Sequence, residues 1–144
     1  MEYKTDLRCL VTHPSQPNYA ASVAGDYFGM DEDYFVTFPA NISTVVDLLD
    51  TRAISWGEYQ EHLPYAGFAG WNFSNQETEK DDYVRKHNPL IMFESVALNE
   101  TRALQIKNFT SFYQDLADQK LPQWSFVTPN MVCHLFYRLG ARLV

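Results

Sequence analysis

The chain predicts an α/β fold, and three features carry that expectation. An apolar helix is bracketed by Pro17 and Gly25, a helix is followed at once by a strand over residues 44–60, and a second short apolar strand follows another helix-like segment at residues 125–127. At 144 residues, 46% of them hydrophobic, the chain is the size of one ordinary domain with one core.

Taken in order, residues 7–11 read as a short strand leading into a loop. Pro14 and Pro17 restrict the backbone on both sides of Ser15; Pro17 fits only the first turn of a helix, which runs through Val23 to Gly25. A polar, aromatic loop covers residues 26–33. Residues 44–52 form a second helix with Val45, Leu48 and Leu49 on one face, capped by Asn41 or Ser43. Residues 53–60 then form a buried strand. Residues 61–88 have long-loop composition. Ser111 and Gln114 have capping-box spacing, and Phe109, Phe112, Tyr113 and Leu116 follow a helical period that Leu121-Pro122 ends. The strand at residues 125–127 reads as buried. There are no internal repeats or interdomain linkers.

Ser15 stands where a helix N-terminus would offer it unpaired N–H groups and the positive end of a dipole, a setting that favours an alkoxide or phosphoryl group. The same residues also fit an ordinary cap by Ser15 or Asn18. Glu58 and Glu61, near a strand end, read as solvated loop residues, and Asp31, Glu32 and Asp33 as a solvated turn.

The string Thr12-His13-Pro14-Ser15-Gln16-Pro17-Asn18-Tyr19, running into a small-residue helix, resembles the phosphoesterase family of secreted fungal acid phosphatases and phosphatidylcholine-type phospholipases C. That family belongs to the alkaline-phosphatase-like superfamily. Further blocks are similar in family order: Gly25-Asp26-Tyr27-Phe28-Gly29-Met30, Ile54-Ser55-Trp56-Gly57-Glu58, Tyr83-Val84-Arg85-Lys86-His87-Asn88-Pro89-Leu90 and Gln123-Trp124-Ser125-Phe126-Val127-Thr128-Pro129-Asn130-Met131. The resemblance covers about residues 11–131, leaves 132–144 divergent, and implies that 1–144 is one partial, truncated domain of a three-layer αβα sandwich of the alkaline-phosphatase-like type.

By the same resemblance, Ser15 is the nucleophile, forming a phosphoserine intermediate, and His87 contacts phosphate or protonates the leaving group. His13 touches substrate or shapes the loop. Asn18 binds substrate or orders the loop. The full-length family uses a divalent metal ion, but its upstream Glu-Asn pair has no counterpart in residues 1–10, and residues 132–144 hold no carboxylate. His134 there reads as incidental, so no metal ligand is assigned and this chain is expected not to hold the ion itself. The implied function is an acid phosphatase acting on small phosphomonoesters; the alternatives are an inactive remnant lacking metal ligands and a phospholipase C-type phosphodiesterase.

The formal charge of −7 argues against a nucleic-acid surface, and no apolar run is long enough to span a membrane. Four glycosylation sequons, at Asn41, Asn72, Asn99 and Asn108, favour an extracellular protein, whereas the charged opening Met1-Glu2-Tyr3-Lys4 lacks the apolar stretch of a signal peptide. Cys9 and Cys133 match no metal spacing, and their pairing is left open.

Overall fold

Parallel strands joined through helices organise the chain. The computed structural model describes residues 11–130 apart from residue 78. Cys9, Cys133, His134 and all but the last residue of the strand expected at 7–11 lie outside the described residues.

The elements in chain order are α1 (Ser15–Ala24), α2 (Val45–Asp50), β1 (Trp56–Gln60), β2 (Asn72–Ser74), β3 (Asp81–Val84), α3 (Glu94–Ala97), α4 (Glu100–Ala103), β4 (Ile106–Asn108), α5 (Phe109–Ala117) and β5 (Trp124–Thr128). Strands β4, β1 and β5 form a parallel sheet in that order, with Glu58 opposite Ile106 on one side and Phe126 on the other. β2 and β3 form a separate antiparallel pair.

Alternation along β1 assigns its two faces. Tyr59 points toward α5, meeting Phe112 edge-on at 5.0 Å and donating its hydroxyl to Asp115 at 2.7 Å. Gly57 shares that face, and a Cβ there would lie 3.1 Å from the Pro122 ring. Trp56, Glu58 and Gln60 point the other way: the Trp56 indole donates to Asp50 of α2 at 2.8 Å, and Glu58 accepts from the Leu90 amide at 3.3 Å. Helices therefore cover both faces of the sheet, as part of an αβα sandwich does.

The core lies on the second face. It joins Ala20 and Val23 of α1 and Val46 of α2 to the run Leu90-Ile91-Met92-Phe93, every residue of which is fully buried. Residues 90–92 form a 3-10 turn, and Phe93 then bridges to Phe38.

Several sequence expectations need correction. The first strand begins at Trp56, because Ala53 takes a left-handed φ of 52° as the chain turns out of α2. In α2 the expected Val45 and Leu49 pack against the core, but its fully buried residue is Val46, and Leu48 is 65% exposed. Its N-cap is Thr44, whose backbone N–H is met by the Asp47 carboxylate at 2.7 Å, rather than Asn41 or Ser43. Likewise Asn108 caps α5 by accepting from the Ser111 amide, so Ser111 lies inside the helix. β5 is only half-buried, with Val127 exposed, since it is an edge strand among the described residues. Residues 61–88, expected as loop, contain the β2–β3 pair and the 3-10 turn Arg85–His87.

Arg85 in that turn ties three segments together. Its guanidinium donates to the Ala69 carbonyl at 2.9 Å and the Ile91 carbonyl at 2.8 Å, and it lies 4.5 Å from the centre of the Phe35 ring. Burial lowers its pKa, but carbonyl oxygens still solvate the charge. Arg85→Ala is expected to cost about 3 kcal/mol or more, because it removes these links and leaves buried carbonyls without donors; a urea unfolding midpoint measures it.

Candidate functional site

The loop before α1 is built on Asn18. Its side-chain carbonyl accepts from the Val11 and Thr12 amides at 2.6 and 3.2 Å, and its NH2 donates to the Thr12 and Pro14 carbonyls at 2.8 and 2.9 Å. Asn18 thus ties residues 11–14 to the helix that follows. Pro14 occupies the N-cap position with no side-chain cap, and Ser15 is the first helical residue.

Fewer free N–H groups surround Ser15 than the sequence suggests. Pro17 has none, and that of Gln16 donates to the Asp33 carboxylate at 3.0 Å, leaving Ser15's own among the first three helical positions. Asp33 is therefore an anion docked on the helix end rather than part of a solvated turn, and its second oxygen pairs with Lys86 at 2.8 Å. The Gln16 side chain fixes the same loop, donating to the Tyr34 carbonyl at 2.8 Å and accepting from the Tyr34 amide at 2.7 Å.

Ser15 meets His87, which lies 72 residues further along the chain: the Ser15 hydroxyl oxygen is 3.0 Å from His87 Nε2. His87 is buried, not a surface loop residue. Its ring stacks on Tyr19, one turn along α1 from Ser15, at 4.7 Å and 17°, and Tyr19 in turn meets the edge of Phe126. The backbone is held as well: the His87 carbonyl accepts from Gln60 Nε2 at 3.2 Å and from the Thr128 hydroxyl at 3.4 Å.

Beneath that carbonyl lies a buried polar group that the sequence reading misplaced. Glu58 is fully buried in β1, not in a solvated loop, because its even position turns it to the packed face. Its carboxyl accepts from Gln60 Nε2 at 2.5 Å and from the Leu90 amide. Burial raises its pKa to about 8 against the opposing effect of those two hydrogen bonds. Tyr19 is pushed up too, by burial and then by the charge of Glu58. The signal was present in Trp56-Gly57-Glu58-Tyr59-Gln60, where two polar residues share one face of a strand with Trp56.

The other predicted residues are dispersed. His13 is exposed, immediately before Pro14. Glu61 is half-buried and accepts from the Asn130 amide at 2.8 Å. Beside it, past the C-terminal ends of β1 and β4, opens a cleft of about 770 Å³ walled by Glu61, Asp82, Phe73, Phe109 and Tyr113. Glu61 and Asp82 also border a small pocket that reaches His87 beside Gln60 and Thr128. Of the sequon asparagines, Asn41 and Asn99 are exposed, Asn108 caps α5, and Asn72 donates to Asp81.

Among the described residues, no three His, Cys, Asp or Glu side chains converge as metal ligands would. These residues alone therefore do not fit the divalent ion implied by the resemblance. No helix among them is long and apolar enough to cross a membrane.

Residues 6–135 match the model of the phosphoesterase family. The chain is 69% identical over 121 residues to an acid phosphatase of Aspergillus fumigatus, covering 84% of this chain and 27% of that protein. It is 64% identical to a protein of Kluyveromyces lactis named probable acid phosphatase, again over 84% of this chain and 29% of the relative. A phosphatidylinositol-3-phosphatase of Mycobacterium tuberculosis is 31% identical over 83% of this chain and 36% of its own length. The chain thus spans under a third of the length of the two fungal relatives.

Asn18 supplies a direct test of how the loop is held. Asn18→Asp replaces a donor facing two carbonyls by an acceptor, and is expected to lower stability by about 1–3 kcal/mol and to broaden the amide NMR signals of residues 11–15.

Proposed function

The chain belongs to the phosphoesterase family, and from that premise we propose that it carries the nucleophile and proton-handling group of a phosphomonoester hydrolase of the acid phosphatase kind. The observation that carries this reading is the 3.0 Å approach of the Ser15 hydroxyl to His87 Nε2. A serine hydroxyl attacks poorly until its proton is taken, and a neutral imidazole at this distance can take it.

In the proposed sequence Ser15 Oγ bonds to phosphorus as its proton passes to His87 Nε2, and the bond from phosphorus to the leaving alcohol breaks. His87 returns the proton to the departing oxygen. Water then attacks the phosphoserine, and Ser15 leaves with a proton regained through His87. Tyr19 and the hydrogen bonds to the His87 carbonyl keep the imidazole in place throughout.

Charge on the phosphoryl oxygens must also be offset. A divalent ion would supply that charge where one is bound, and no set of ligands for one converges among the described residues. The same observation favours a second reading, a non-catalytic remnant that binds phosphate weakly. The four sequons support an extracellular setting for either.

Turnover of 4-nitrophenyl phosphate with added divalent ions, combined with acid quenching and mass spectrometry, tests the proposal. A phosphoryl adduct on Ser15 is expected, with adduct and turnover both abolished in Ser15→Ala. His87→Ala should slow turnover on the order of a hundredfold and alter the acid limb of its pH profile. Turnover undiminished in Ser15→Ala would overturn the assignment. No adduct and no turnover under any ion would leave the second reading.

A further inference from the structure

We propose that Glu58 is a positioning residue for His87, acting through Gln60. One amide nitrogen carries the link: Gln60 Nε2 lies within hydrogen-bond distance of the Glu58 carboxyl, the His87 carbonyl and the Thr128 hydroxyl. Gln60 and Glu58 stand on the same face of β1, two residues apart, and both are buried. The other carboxyl oxygen of Glu58 accepts from the Leu90 amide, three residues beyond His87, so Glu58 restrains the chain on both sides of Asn88.

Among the described residues, no cation pairs directly with this carboxyl. The titratable groups around it are Tyr19 from α1 and Tyr83 from β3, with Arg85 and His87 in the turn that follows; Ile106 of β4 and Phe126 of β5, opposite it in the sheet, carry no charge. The Arg85 guanidinium is engaged with carbonyls of Ala69 and Ile91. An ionised Glu58 is a buried charge supported by two donated hydrogen bonds, whereas the neutral acid avoids the desolvation cost but accepts more weakly from the same donors. Burial holds the proton until about pH 8. Because the folded-state value lies above the ordinary one of 4.5, the contribution of Glu58 to folding stability is full below 4.5 and is lost as pH rises to about 8. Ionisation of Glu58 therefore changes the pull on Gln60 Nε2, the donor that the His87 carbonyl shares.

The functional consequence rests on the reading of Ser15 and His87 as the reacting pair, but the positioning can be observed without substrate. In the 144-residue chain with 13C-labelled carboxyl groups, the Glu58 signal should titrate near pH 8. The His87 ring and Leu90 amide signals should show a step with the same midpoint. Glu58→Gln, which keeps an oxygen for Gln60 but cannot ionise, should erase that step while preserving the low-pH spectrum. Gln60→Met should erase it from His87 while Glu58 still titrates. Where turnover is measured, Glu58→Gln should remove a change in kcat centred near pH 8 and leave KM unchanged. A Glu58 signal titrating in the ordinary carboxylate range, or an alkaline His87 step that persists in Glu58→Gln, would overturn the proposal. An intact spectroscopic result without turnover would count against the phosphatase reading and not against the positioning.

Discussion

The contact between Ser15 and His87 depends on a backbone carbonyl held from below. His87 follows β3 in a short turn, and such a turn has little structure of its own to keep an imidazole on target. Gln60 of β1 and Thr128 of β5 grip the His87 carbonyl, so the parallel sheet supports the ring from its backbone side. Tyr19 of α1 covers the ring face. Since α1 also presents Ser15, the same helix sets both the hydroxyl and one wall of the imidazole. A displacement of α1 would therefore move Ser15 and Tyr19 together, whereas a change in Gln60 would act on His87.

The N-terminus of α1 shows how the surrounding charge is arranged. Its dipole favours an anion, and part of that preference is already met by Asp33 on the Gln16 amide. Lys86, adjacent to His87, neutralises Asp33 in turn. The protein thus fixes the loop of residues 31–34, the helix end and the histidine turn in one chain of contacts. The positive potential at this helix end is smaller than a bare helix end would give, because one of its N–H groups is already met by a carboxylate.

Much of the fold was legible because it obeys local rules. Pro17 and Gly25 marked the ends of α1, and the succession of α2 and β1 showed the αβ unit, since backbone restriction and apolar spacing act over a few residues. The β2–β3 pair was not legible: Asn72-Phe73-Ser74 and Asp81-Asp82-Tyr83-Val84 have no alternating apolar pattern, and their pairing is secured by contacts such as Asn72 to Asp81. The family resemblance singled out Ser15 and His87, and the structure shows them in contact. Glu58 escaped because a glutamate near a strand end ordinarily faces water. Only the three-dimensional packing of the Leu90–Phe93 run onto β1 removes that option.

That packing also explains why the polar network sits where it does. The Leu90–Phe93 run is entirely apolar and fully buried, so any polar side chain that β1 sends toward it must find its partners within the network. Glu58 finds Gln60 and the Leu90 amide; Gln60 finds His87 and Thr128. Replacing the pair by apolar residues would fill the space but leave the His87 carbonyl with the weaker Thr128 contact alone from the sheet. Buried polar residues here therefore define the position of one ring in a core that hydrophobic contacts could pack without them.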